Sequence, residues 1–91
     1  MSSIDLERIK SALDKNHDWP SVYMFKFIVP SDNEKIAQVE SIFNSNTAEM
    51  KMNQSKTGKF TSITAKEVMT SADAVLKYYE EAAKIEGLIS L

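Results

Sequence analysis

The chain has two prolines, and they stand ten residues apart around its richest apolar run, "PSVYMFKFIVP" from Pro20 to Pro30. Proline cannot donate to a β-ladder, so such a pair marks the ends of a strand, and the aromatic and β-branched residues between them favour one. Alternation puts Tyr23, Phe25, Phe27 and Val29 on one face and Met24, Lys26 and Ile28 on the other. The first face is the larger and more aromatic, so it is expected to meet the core.

The segments around this strand have helical or strand periods of their own. Leu6, Ile9 and Leu13 make a helical stripe over roughly Ser3 to Lys15, with Ser2 or Ser3 as cap, Asp5 and Glu7 at the positive end, and Asn16 as a left-handed stop. After Pro30, Ser31 and Glu34 have capping-box spacing, and Ile36, Val39, Ile42 and Phe43 form a stripe. Ala48, Met50 and Met52 then alternate with Glu49, Lys51 and Asn53, which predicts a half-buried strand. "SKTGK" is turn chemistry around Gly58, and "FTSITAKEVM" is a further strand with Thr61, Ile63 and Ala65 against Phe60, Ser62 and Thr64. A last helix is capped by Thr70 with Asp73, or by Ser71, and buries Val75, Tyr78, Tyr79, Ala82 and Ile85. Gly87 stops it, and "LISL" closes the chain as a short strand.

The resulting order, a helix followed by β-α-β-β-α-β, is that of an α+β ferredoxin-like plait: two helices over one face of a four-stranded antiparallel sheet. Residues 1–18 read as a helical extension and 19–91 as the plait. The extension could cover the free face at Met24 and Ile28, or leave it as a surface for a partner or a second copy.

Composition narrows function by exclusion. The net charge of −2 disfavours nucleic acid overall. Without cysteine there is no disulfide framework and no thiolate metal site, and a lone histidine, His17 in "KNHDWP", cannot build one. No metal or cofactor is expected. The acidic N-terminus lacks a signal-peptide core, and no apolar run reaches membrane-spanning length, so a soluble cytoplasmic protein is expected.

The local charge is more telling. Lys51, Lys56, Lys59 and Lys66 share a stretch without any acid, together with Ser55 and Ser62, whereas residues 67–91 hold five acids against two lysines. Gly58-Lys59 is no P-loop: there is no upstream glycine, Phe60 follows, and two strands are joined. Phosphate-cleaving plaits use an arginine grip, but the one arginine, Arg8, lies in the first helix. An RNA-recognition plait needs exposed aromatics on both central strands, and only Phe60 is offered.

Three stretches resemble one family. "WPSVYMFKF", with Trp19, Pro20 and Lys26, is similar to the first strand of the YbeD-like (lipoate-regulatory-protein-like) proteins, small proteins of bacteria. "SKTGKFTSIT", with Ser55, Gly58, Phe60 and Ser62, resembles their hairpin, and "YYEEAAKIEGLISL" their last helix and closing strand. Pro30 stands near a place where the family often has glycine. The resemblance spans about residues 19–91 and implies a plait akin to regulatory ACT domains. The expectation is a non-enzymatic regulatory or adaptor module. It would bind a protein or a small anionic ligand through the sheet face and the lysine hairpin, with a homodimer as one use of the face and a nucleic-acid-binding plait as the alternative.

Overall fold

The computed structural model describes the chain from Ser3 onward, and its side chains from Leu6 onward. The expected cap at Ser2 or Ser3 and the side chain of Asp5 lie outside the described residues. The elements run α1 (Ser3–Asn16), β1 (Ser21–Pro30), α2 (Asn33–Ile42), β2 (Glu49–Gln54), β3 (Phe60–Met69), α3 (Ala72–Ala83) and β4 (Ile89–Ser90). The sheet order is β2-β3-β1-β4 with every neighbour antiparallel, which is the ferredoxin-like plait.

β1 sits between β3 and β4, and its pattern is met as expected: Phe25, Phe27 and Val29 are fully buried while Val22, Met24 and Lys26 are exposed. On the buried side the Phe25 ring lies 5.3 Å from Phe43 and from Tyr79, and 5.4 Å from Tyr78, an aromatic centre that joins β1 to both covering helices. Full burial of one such side chain stabilises the fold by roughly 1.5–3 kcal/mol. Val39 of α2, Val75 and Ala82 of α3 and Ile63 of β3 close the core around it.

The ends of the helices correct two readings of the sequence and decide a third between its two alternatives. Asp32, not Ser31, caps α2: its carboxylate accepts the Glu34 N–H at 2.9 Å. Ser31 is drawn instead to β3, its hydroxyl 2.8 Å from that of Thr61, where the β1–β3 ladder continues through Ser31 N–H to Lys59 O. Asn16 is not left-handed, since among the described residues positive φ occurs at Gly58 and Gly87 alone. Asn16 stays in α1 and its side-chain amide donates to Ala12 O at 2.8 Å. Of the two caps open to α3, Ser71 serves, accepting from Ala74 N–H.

α1 settles on the helical side of the molecule. It lies against α3, Lys10 pairs with Asp73 at 3.2 Å, Leu13 packs on the core, and Asp14 accepts from the Trp19 indole N–H at 2.9 Å. Of the two roles open to this helix, covering the far face of the sheet is therefore not the one taken. β4 is only two residues long, opposite Phe27 and Ile28, with Leu91 N–H adding one bond to Lys26 O. The first half of β1 has a strand on its β3 side only.

Candidate functional site

Directly paired residues of an antiparallel sheet share a face, so the register lays out the uncovered side row by row. One row is Val22 and Val68. The next is Met24, Lys66 and Glu49, then Lys26, Thr64 and Lys51, then Ile28, Ser62 and Asn53 with Ile89 at the β4 end, and last Pro30 beside Phe60. Val22, Met24, Val68, Ile89 and Phe60 on this face are 45–59% exposed, whereas Phe25, Phe27, Val29, Ile63 and Ala65 on the covered face are fully buried. The side is open.

The six residues singled out from the sequence divide between two places. Lys51, Lys66 and Ser62 stand on the open face within adjacent rows. Lys56 and Lys59 lie in the loop between β2 and β3, and Ser55 at its base. From Lys66 to Phe60 is six residues of strand, about 20 Å, so the loop lysines and the face lysines form no single cluster. The loop is held from within: Gly58 N–H bonds to Ser55 O at 2.9 Å, Ser55 N–H to Phe60 O at 2.8 Å, and the Ser55 hydroxyl accepts from Phe60 N–H at 3.2 Å. Gly58 has φ +74°, the left-handed geometry expected of it. Ser55 is thus a turn residue, and the Ser62 hydroxyl donates to Asn53 O across the β2–β3 ladder.

Lys26 belongs with the face group and was not among those six. Its pairing with Thr64 brings it within a row of Lys51, and this depends on strand order, which no local pattern encodes. Lys26, Lys51 and Lys66 are all exposed, and none makes a salt bridge or hydrogen bond with a described residue, although Glu49 stands opposite Lys66. The ion pairs among the described residues are Lys10–Asp73 and Lys84–Glu81, both in the helical layer.

On the core side, β3 carries one acid. Glu67 is 7% exposed, and its carboxylate accepts the Asn44 N–H at 2.9 Å and the Tyr78 hydroxyl at 2.5 Å. Burial first, then the hydrogen bond and charge of Glu67, push the Tyr78 hydroxyl up to about 12. Tyr79 is raised as well, chiefly by burial and then by its 3.1 Å contact with the Tyr23 hydroxyl. These groups tie α3 and the α2–β2 turn to the sheet, and they face away from the open side. His17 stacks on Trp19 at 5.0 Å and lies 5.5 Å from Tyr23, so it is a packing residue of the α1–β1 junction. No group of three or more potential metal ligands occurs among the described residues, and none of their helices is long and apolar enough to cross a membrane.

No curated protein and no solved structure matches the chain. A family model does, one described as a protein of unknown function (DUF493), and it spans residues 14–90, which takes in the whole plait and only the last turn of α1. That family is the YbeD-like one to which the strand, hairpin and closing helix point, and the chain belongs to it.

Proposed function

We propose that the protein is a non-enzymatic adaptor or regulatory module that binds an acidic surface of a protein partner through the open face of its sheet. The observation that carries this reading is the combination on that face. Exposed Val22, Met24 and Val68 lie at one end and Ile89 and Phe60 at the other, with Lys26, Lys51 and Lys66 between. Exposed apolar patches rimmed by polar groups mark interaction sites. Three free lysines beside a single Glu49 add complementarity to an acidic partner and speed encounter. The same face of a nucleic-acid-binding plait would present aromatic rings at its inner positions. Here those positions are Met24, Lys26, Thr64 and Lys66, and Phe60 stands at the edge. The non-enzymatic reading is supported by the place of Arg8, which lies in α1 on the helical side, away from every face or loop lysine.

Photocrosslinking tests the reading. A crosslinker at Met24 is expected to trap a protein partner in native extract that a crosslinker at Lys77 of α3 does not trap. Reversal of Lys26 and Lys66 to Glu should remove that product while circular dichroism stays unchanged. Equal products from both positions, or products that survive the charge reversal, would refute it.

A further inference from the structure

Thr64 stands at the centre of the face lysines. Lys51 and Lys26 flank it across the sheet on β2 and β1, Lys66 follows two residues along β3, and Ser62 precedes it by two. Direct cross-strand neighbours are about 4.5–5.5 Å apart and diagonal ones about 7–8 Å, well within the reach of a lysine side chain. Thr64 is half-buried, and its hydroxyl makes no hydrogen bond to a described residue. Three like charges around one hydroxyl repel each other, and among the described residues Glu49, opposite Lys66, is the one acid in these rows of the face. Of the other lysines, Lys10 and Lys84 are paired with acids and Lys35 donates to Glu86 O at 2.7 Å, while Lys15, Lys56, Lys59 and Lys77 stand apart from the cluster on other elements. The groove between α1 and α3, lined by Glu7, Lys10, Asp73 and Glu80 among others, is of mixed charge and has no such excess.

We infer that Lys26, Lys51 and Lys66, with the Thr64 hydroxyl as a neutral donor, form a binding site for a multiply charged phosphoryl group. The choice of phosphoryl over carboxylate follows from the residue type. A phosphoryl group concentrates nearly two charges and three acceptor oxygens on one tetrahedral centre, where a carboxylate carries one charge, and lysine meets such a group as a compact point charge that can approach from several sides. The phosphoryl group can be that of a free small molecule or one carried on the partner protein. The inference rests on the reading of the open face as the working surface and gives its centre a ligand.

The test uses the whole purified chain and two probes, inorganic pyrophosphate and citrate, in nitrogen–proton correlation spectra at constant ionic strength. Pyrophosphate is expected to shift the amides of Thr64, Lys26 and Lys51 saturably, with half-saturation below about 10 mM, and citrate at least about 5-fold more weakly. Lys26→Gln with Lys51→Gln and Lys66→Gln should weaken pyrophosphate by about 10-fold or more. Lys56→Gln with Lys59→Gln, in the loop, should change it less than about 2-fold. Thr64→Val should weaken it by about 3-fold, since a lost neutral donor matters less than three charges. A linear, non-saturating response overturns the site. So does equal binding of citrate, unchanged binding by the triple variant, or shifts centred on the loop. These results are independent of crosslinking: a loss of pyrophosphate binding with the Met24 crosslink intact removes the ligand and leaves the partner surface. If pyrophosphate binds and a phosphoserine peptide of neutral flanks competes for it, the site can read a modified partner. Binding without such competition assigns it to a free phosphoryl compound.

Discussion

Replacing Glu67 by Leu removes the one acid on the core side of β3 while nearly keeping its volume, and the structure sets the scale of the loss. The carboxylate accepts two hydrogen bonds, from Asn44 N–H and from the Tyr78 hydroxyl. A bond to a charged acceptor contributes about 1.5–3 kcal/mol, so two of them bound the effect at roughly 3–6 kcal/mol. Two terms reduce it. Asn44 is exposed, so water can replace its acceptor. The leucine also relieves the desolvation of a buried carboxylate. The expected net loss is about 2–3 kcal/mol out of a total of about 5–14 kcal/mol for a chain of this length. In a thermal melt that is a fall of about 10–20 °C. Glu67→Gln keeps one acceptor oxygen but turns an N–H₂ toward one of the donors, for about 1–2 kcal/mol. The assay is urea denaturation followed by circular dichroism, in a cycle with Tyr78→Phe. The double variant should lose about 1–2 kcal/mol less than the sum of the single ones, because the two share a bond. Tyrosine absorbance supplies a second readout. The fold raises the Tyr78 hydroxyl above its unfolded value, so the protonated form is the one favoured by folding. Its contribution is complete below about pH 10 and is lost as the pH rises toward 12. In Glu67→Leu the Tyr78 ionisation should move down without reaching the ordinary range, since burial is the larger cause. A variant within about 0.5 kcal/mol of the parent, with additive energies and an unmoved tyrosine titration, would show that Glu67 does not hold α3 to the sheet.

Other consequences can be measured alongside. Gly58→Val should cost about 1–3 kcal/mol in urea denaturation, chiefly as backbone strain, because φ is +74° and a Cβ there meets nothing within 4 Å. Gly87→Ala should cost more than Gly58→Ala, because at φ +81° its Cβ would also stand 3.1 Å from Pro30 Cγ. Lys56→Glu with Lys59→Glu should leave the urea midpoint within about 0.5 kcal/mol of the parent, as exposed loop charges contribute little to stability. Leu13→Asp should loosen α1 from α3, seen as fast amide relaxation over residues 6–13, while the sheet spectrum is kept. Chelator treatment should not move the melting temperature, since neither cysteine nor a second histidine is present to hold a structural metal.

The element order and the buried face of β1 could be read from the sequence because each rests on a local period. Phe25 and Phe27 alternate with Met24 and Lys26 within one strand, and Val75, Tyr78, Tyr79 and Ala82 repeat within one helix. The buried side of β3 was harder to read. Thr61 and Glu67 lie on it and are polar, while Val68 on the open side is apolar, so polarity marks neither face cleanly. The stripe of α1 shows that a surface is needed, but not which one. Asp32 prevailed over Ser31 as a cap because β3 offers Ser31 a partner in Thr61, a contact across thirty residues. The lysine-rich stretch reads as one run along the chain, yet a hairpin carries alternate residues to different places. Lys56 and Lys59 go to the loop, and Lys51 and Lys66 go to a face where a distant Lys26 joins them.

The shortness of β4 divides β1 in a way that its sequence does not suggest. Backbone groups point to alternate sides along a strand, and Lys26 O points toward β4, so the N–H groups of Val22 and Met24 point the same way, beyond the end of that strand. Those of Tyr23 and Phe25 point to β3 and are locked in its ladder. Within a single interior strand, hydrogen exchange with solvent therefore splits into two sets, with open even positions beside closed odd ones. The sheet is three strands wide where Val22 and Val68 project and four wide where Ile28 does. The end with the most exposed apolar pair is thus also the end where the ladder among the described residues is least complete.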